Sequence, residues 1–150
     1  MHELRHIKTW VLIGGLLWVS ASAAQAKQCH SPDARSKERA FSRAVITEGG
    51  KTVWLAGRTA SDPKAGFETQ VRDVFANLDK TIKEVGGKGL ADMVTMTVFI
   101  SDTRLGDEFV KIRQEIFKEC FPGSALITVT GFARPGLLVE VQGIAVIGSK

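Results

Sequence analysis

Histidine is scarce in this sequence and tyrosine is absent, which narrows the chemistry that the chain can carry. Of the three histidines, His2 and His6 lie in the first ten residues, so His30 is the only one beyond them. Without a histidine in the predicted core, neither a Ser–His–Asp nor a Cys–His triad can be assembled. Cys29 and His30 are adjacent, which is not the ligand spacing of a metal site. We therefore expect no metal and no other cofactor.

Cysteine is also rare, with only Cys29 and Cys120 in the chain. In an oxidising compartment the two can pair, which would tie the N-terminal arm to the end of the second helix. The alternative is one exposed thiol in the arm and one buried thiol in the core. Geometry decides between them, so the sequence leaves both open.

No apolar run is long enough to cross a bilayer, which takes about 20 residues. The longest N-terminal run, Trp10–Val19, follows a short basic segment and precedes the small-residue pattern Ala24-Gln25-Ala26. These features are typical of a secretory signal peptide over residues 1–26, cleaved after Ala26. We therefore expect a periplasmic or secreted protein with no membrane attachment once the signal is removed, and an irregular N-terminal arm over residues 27–39.

A large excess of charge of one sign is lacking too. The formal net charge is +4, and one unit of it belongs to the predicted signal peptide. A balance this mild is compatible with an anionic ligand, but it is too small to indicate nucleic-acid binding. The sequence also lacks the interleaved basic and aromatic residues that typically bind single-stranded nucleic acid. We therefore expect no nucleic-acid partner.

The patterning predicts a single α+β domain. Phe41–Ile46 and Thr52–Ala56 read as strands joined by a hairpin turn at residues 48–51, because adjacent glycines adopt positive φ easily. From Phe67 to Val85 apolar residues recur every three or four positions, as on one face of a helix, and Gly86-Gly87 ends it.

A β-branched strand follows at Met93–Ile100, and then a second helix that begins at Ser101-Asp102 and is broken at Phe121-Pro122. Two final strands are joined by a short turn at residues 133–136. The order is β-β-α-β-α-β-β, which predicts a sandwich with two helices on one face of the sheet. The other sheet face is largely apolar or neutral, so we expect it to meet another subunit.

Two segments resemble a known family. Residues 91–102, ADMVTMTVFISD, match a D-x-V-x-x-T-V-F-x-x-D pattern at a helix-to-strand junction. Residues 134–146, RPGLLVEVQGIAV, are similar to the closing strand of the same proteins. Both resemble the Rid family, also called YjgF or endoribonuclease L-PSP. The resemblance covers about residues 40–147, so residues 40–150 are assigned to a Rid-like domain.

The resemblance implies a chorismate-mutase-like α+β fold with a mixed sheet, and a homotrimer with three clefts shared between neighbouring subunits. The best-known members hydrolyse enamine or imine intermediates such as 2-aminoacrylate to a 2-keto acid and ammonia. In such a site an arginine binds the substrate carboxylate through a bidentate fork. A carboxylate helps to activate the attacking water, and a backbone amide and an aromatic side chain complete the pocket.

This chain departs from the family pattern at the positions that matter most. Ser124 stands where deaminating members have the arginine, and Gln142 stands where they have a glutamate. Phe41 replaces the family tyrosine, and Arg113 aligns with an asparagine on the second helix. Gly57 is retained. Because a hydroxyl is no substitute for a guanidinium and glutamine is not a general base, we do not expect ordinary imine deaminase activity.

Other residues are candidates for these roles. Glu140 is retained and should lie on the same strand face as Gln142, about 7 Å away. Arg58 follows Gly57 at a strand end, so it is a candidate to bind a carboxylate. The default interpretation of Arg58 and of Arg113 is a solvated surface residue. The predicted binding residues are Phe41, Gly57, Arg58, Arg113, Ser124 and Gln142.

Four functions are compatible with these residues. The leading one is an exported Rid-like trimer that binds a small anion, by analogy a carboxylate, in its intersubunit clefts. The alternative is an enamine or imine deaminase in which Arg58 anchors the substrate and Gln142 and Glu140 hold the water. RNA cleavage is suggested only by the older family name. A structural or partner-binding trimer with vestigial clefts is the fourth.

Overall fold

The computed structural model describes residues 27–148, so the predicted signal peptide at 1–26 lies outside the described residues. Within that range no helix is both long and apolar enough to cross a membrane. The helices and strands follow in chain order as β1 (Gln28–His30), α1 (Ala34–Glu38), β2 (Ala44–Ile46), β3 (Lys51–Thr59), α2 (Phe67–Glu84), β4 (Met93–Ile100), α3 (Gly106–Phe117), β5 (Gly123–Thr128) and β6 (Val139–Ile147).

The main sheet has four strands in the order β3-β6-β4-β5. Strand β4 pairs with β5 in parallel, whereas β6 is antiparallel to both of its neighbours, so the sheet is mixed as predicted. Strands β1 and β2 form a separate antiparallel pair. From β2 onward the order is the predicted β-β-α-β-α-β-β, and the α+β class is confirmed.

Helices α2 and α3 supply the core that covers one face of the sheet. The predicted apolar face of α2 is buried from Phe67 to Ile82, whereas Val85 is exposed because it caps the helix end. Helix α3 buries Phe109 and Ile112 in the same core, and the Phe75 and Phe109 rings are 6.0 Å apart. It begins at Gly106, after a 3₁₀ turn at Thr103–Leu105, and so later than predicted.

The N-terminal arm is more ordered than the sequence suggested. The segment 27–39, expected to be irregular, contains β1 and α1. Asp33 caps α1 by accepting a hydrogen bond from the Ser36 N–H at 2.8 Å, a helix-start signal that the charged composition of the arm obscured. A disulfide joins Cys29 to Cys120, with the two Cα atoms 5.2 Å apart, so the question that the sequence left open is resolved in favour of pairing.

Two predicted turns do not join neighbouring strands. The prediction of a hairpin at residues 48–51 is wrong, because β2 pairs with β1 and β3 pairs with β6. The predicted first strand is also shorter than expected and begins at Ala44. The link between β5 and β6 runs over residues 129–138 and places β4 between them. The buried Gln70 side chain holds this link by accepting from the Leu138 N–H and donating to the Gly136 carbonyl.

Candidate functional site

A small pocket lies where α1, α3 and β5 meet, and we call it the arginine pocket. It encloses about 220 Å³. Three arginines and a serine supply its polar groups, and no acidic residue lines it; the lining residues are Arg35, Arg39, Phe41, Val110, Arg113, Ser124 and Leu126. Three of the residues predicted from the sequence, Phe41, Arg113 and Ser124, are therefore brought together.

The register of the sheet explains how Ser124 reaches this pocket. Ser124 is the partner of Met96 across the parallel β4–β5 pair, and Met96 is fully buried beneath the helices. Residues paired across neighbouring strands point to the same face, so Ser124 faces α3. Arg113 lies one helical turn after the buried Phe109, and its guanidinium carbon is 5.2 Å from the centre of that ring.

Arg113 is buried, with 3% of its surface exposed, so the interpretation of this arginine as a solvated surface residue is wrong. Its Nη1 donates to the Ser124 hydroxyl at 2.6 Å, and its Nη2 donates to the Arg39 carbonyl at 2.5 Å. Its Nε is buried and has no hydrogen-bond partner. The guanidinium is thus held beside Ser124, the residue that stands where the family pattern has an arginine, but it comes from the neighbouring helix.

The charge of Arg113 is not neutralised by the protein. Within residues 27–148 no carboxylate forms an ion pair with it. Burial, and then the positive charge of Arg39, lower the pKa of Arg113 from 12.5 to about 10. The side chain therefore stays charged at neutral pH while it lacks the counter-ion that a buried charge ordinarily has.

The N-terminal arm forms the outer wall of the arginine pocket. Arg39 pairs with Asp107 at 2.5 Å, and the Asp107 side chain is 84% exposed. The Gln114 amide donates to the Glu38 carbonyl at 2.7 Å and fixes the end of α1 against α3. The Cys29–Cys120 disulfide holds β1 beside the start of β5, so the arm is attached covalently as well as by hydrogen bonds.

A second group of predicted residues lies on the opposite side of the sheet, the side away from α2 and α3, which we call the open face. Gln142 is the partner of Thr97 and is exposed. Glu140 lies on this same face, as predicted, and its carboxylate covers Gly57 so closely that a Cβ at that position would collide with it. Trp54 is 78% exposed on the open face and borders a shallow depression of about 240 Å³ that includes Gln142.

Arg58 does not lie near Ser124 in one chain. It is exposed on β3, at the irregularity between Leu55 and Arg58, and it pairs with Val141. Strands β3 and β5 are the two edges of the sheet, three strand spacings apart, or roughly 14 Å. Among the candidate arginines, Arg113 is the one that occupies the region of position 124.

The sequence did not single out Arg35 and Arg39. They are four residues apart at the two ends of α1, and that spacing puts both on one side of a helix. Two features of the sequence could have identified these arginines as pocket residues: the helix-capping residue Asp33 and the four-residue spacing of Arg35 and Arg39. Among the residues that the structure describes, no group of histidine, cysteine, aspartate or glutamate side chains is arranged to hold a metal ion.

Comparison with known proteins agrees with this architecture. The endoribonuclease L-PSP family model matches residues 31–147. The protein DfrA of Myxococcus xanthus is 32% identical over 129 residues, which cover 80% of this chain and 95% of DfrA. A RutC family protein of Pyrococcus horikoshii is 28% identical over 111 residues, covering 70% of this chain and 85% of its own length.

Solved structures share the fold. A Rid family protein of Yersinia pestis superposes with a TM-score of 0.70 at 23% identity, covering 82% of this chain and 100% of that one. A YjgF/YER057c/UK114 family member from Mycobacterium tuberculosis has a TM-score of 0.60 at 26% identity, covering 81% of this chain and 100% of that one. The resemblance noted in the sequence and the chorismate-mutase-like fold are both confirmed, and the chain belongs to the endoribonuclease L-PSP family, also known as the Rid or YjgF family.

Proposed function

We propose that this protein is an exported homotrimer that binds a small anionic metabolite in the clefts between its subunits and does not catalyse ordinary imine hydrolysis. The observation that carries the proposal is Arg113, a buried guanidinium that has no carboxylate partner among residues 27–148 and an unsatisfied Nε. It lines a pocket that also contains Arg35, Arg39 and the Ser124 hydroxyl.

The energetic cost of such a charge argues for an anion. Removing a guanidinium from water is unfavourable by several kcal/mol unless an opposite charge or hydrogen bonds compensate it. The protein supplies two hydrogen-bond acceptors and one aromatic ring, but it leaves the positive charge unpaired. A bound carboxylate or phosphate would supply both the missing charge and an acceptor for Nε, since guanidinium groups bind carboxylates and phosphates through two parallel hydrogen bonds.

Assembly would unite the two groups of residues. Ser124 and Arg113 face the helices near one edge of the sheet, whereas Gln142 and Glu140 lie on the open face. Two copies of the chain are needed to bring both groups to one cleft. The exposure of Trp54, at 78%, and of Ile127, at 44%, supports the packing of the open face against a neighbouring subunit, because large apolar side chains this exposed are typical of interfaces.

The Cys29–Cys120 disulfide supports export. Disulfides persist in secreted and periplasmic proteins and are rare in the reducing cytosol. Both cysteines also lie in the part of the chain that would remain after the predicted cleavage at Ala26. The two observations are independent and indicate the same compartment.

The loss of ordinary deaminase activity follows from the chemistry at two positions. Gln142 has no ionisable group, so it cannot accept a proton from water. Ser124 contributes a hydroxyl that already accepts a hydrogen bond from Arg113. The site thus retains a group that binds an anion and lacks the carboxylate that would activate water at position 142.

Imine hydrolysis is the second candidate, because Arg113 supplies a guanidinium at Ser124 and Glu140 supplies a carboxylate on the open face. In that case Arg113 would bind the substrate carboxylate and Glu140 would position the water. The two candidates differ in one measurable property, which is whether the cleft accelerates the formation of a 2-keto acid.

The test combines catalysis with binding on the same preparation. Keto-acid formation from freshly generated 2-aminoacrylate is compared with buffer alone, and the binding of small carboxylates and inorganic phosphate is measured by calorimetry. We expect no acceleration, and binding that is lost in Arg113→Met but retained in Arg72→Met, a surface arginine paired with Glu68 and Glu115. Acceleration that requires Glu140 would favour the deaminase, and a folded trimer that binds no anion would contradict the proposal.

A further inference from the structure

The charges around the arginine pocket do not balance for a singly charged ligand. Arg35, Arg39 and Arg113 line the pocket, and Asp107 is the carboxylate that pairs with one of them, Arg39. Among the described residues Arg35 and Arg113 form no ion pair. Three positive charges and one negative charge leave a net of two positive charges around about 220 Å³ of space.

The acidic residue nearest to Arg35 in the sequence is already in an ion pair. Asp33, which precedes Arg35 in the same segment, forms an ion pair with Arg43 at 2.7 Å. Arg43 therefore takes the close contact with Asp33, whereas the exposed Arg35 forms no ion pair with that carboxylate and acts on it only at longer range. Arg113 is buried, and its unpartnered Nε is the second independent sign that a ligand belongs here, because buried polar groups almost always have a partner.

We propose that the ligand of the arginine pocket is a small dianion, with one anionic group bound by Arg113 and the second reached by Arg35. This inference rests on the proposed function, because it takes the arginine pocket as the anion site and specifies the charge of its occupant. Short dicarboxylates and phosphate share this chemistry. The size of the pocket, about 220 Å³, restricts the part of the ligand that one chain holds to roughly nine heavy atoms.

The roles of the arginines differ in a way that experiment can separate. Arg113 is fixed by Ser124 and the Arg39 carbonyl, so it contacts any anion that binds. Arg35 lies on the arm, and its charge adds affinity only when the ligand has a second negative group. Replacement of an arginine that contacts only the second anionic group should therefore alter the preference between ligands rather than the affinity for all of them.

Calorimetric titration of the purified protein with acetate, malonate, succinate and inorganic phosphate, at one ionic strength, tests the proposal. We expect malonate or phosphate to bind about tenfold more tightly than acetate, which corresponds to about 1.4 kcal/mol. A preference for malonate and succinate over phosphate identifies a dicarboxylate site, and the reverse identifies a phosphate site. Acetate binding as tightly as every dianion would overturn the inference while leaving the proposed function intact.

The variants make the assignment specific. Arg35→Gln should reduce the malonate-to-acetate ratio to near one while acetate affinity stays within about twofold, and Arg35→Lys should restore the ratio. Arg72→Gln, on α2 and outside the pocket, is the matched control and should retain it. An equal loss of acetate and malonate affinity in Arg35→Gln would contradict the role of Arg35. The absence of binding by any anion would overturn the inference and the proposed function together.

Discussion

Replacement of Arg113 by methionine removes the guanidinium and keeps an unbranched side chain that fills much of the same space. The pKa of Arg113 is about 10 against an ordinary 12.5. One pKa unit corresponds to about 1.4 kcal/mol, so the folded protein holds this charge at a cost of about 3 kcal/mol. The methionine variant is relieved of that cost.

The same substitution also removes favourable contacts. Two hydrogen bonds from the charged group, to Ser124 and to the Arg39 carbonyl, are each worth about 1.5–3 kcal/mol. Gains and losses nearly cancel, and we expect Arg113→Met to lower the free energy of unfolding by about 1–2 kcal/mol in the absence of ligand. Breaking a buried ion pair would cost more, about 3–5 kcal/mol.

Chemical denaturation with and without a saturating anion measures both quantities. An anion at one hundred times its dissociation constant should stabilise the native protein by about 2.7 kcal/mol. It should leave Arg113→Met unchanged. A loss above about 4 kcal/mol without ligand would show that Arg113 is a structural group with a compensated charge. Equal stabilisation of both proteins by the anion would refute the assignment of the binding site.

Three further predictions concern the arm, the open face and the family position. The Cys29→Ser/Cys120→Ser variant should lose about 4–5 kcal/mol of stability in guanidinium denaturation, because the bridge closes a loop of 91 residues; an unchanged midpoint would contradict this. Trp54→Glu should dissociate the proposed trimer, as measured by analytical ultracentrifugation. The control is Val85→Glu, at an exposed apolar residue at the end of α2, which should not dissociate it. A Trp54→Glu variant that is still trimeric would exclude the open face as the interface. Ser124→Arg should lower the melting temperature because it places a second guanidinium against Arg113. Adding Arg113→Asn to this variant should restore the melting temperature. An unchanged melting temperature in Ser124→Arg alone would show that the two side chains avoid each other.

Much of the fold could be predicted because its elements have strong local patterns. The apolar spacing of α2 from Phe67 to Ile82 and the β-branched run of β4 each identify their element without tertiary information. Pairing was harder, because strand partners depend on contacts distant in sequence. The turn at residues 48–51 has the glycines of a hairpin, yet β3 pairs with β6 instead of β2.

The site was only partly predictable for a related reason. Phe41, Arg113 and Ser124 were all identified, but their meeting in one pocket depends on the register that turns Ser124 toward α3. The burial of Arg113 was missed because arginine at a helical position is ordinarily solvated. Arg35 and Arg39 reach the pocket because contacts such as the disulfide and the Gln114–Glu38 hydrogen bond hold the arm in place; the sequence left the disulfide as one of two alternatives and gave no sign of the hydrogen bond.

A crystal structure of the protein grown with malonate tests the central claim most directly. We expect a malonate carboxylate within hydrogen-bond distance of the Arg113 guanidinium, with its Nε now partnered, in a cleft between two subunits of a trimer. A malonate bound elsewhere, or an Arg113 that is still unpartnered in crystals of a protein shown to bind malonate in solution, would contradict it.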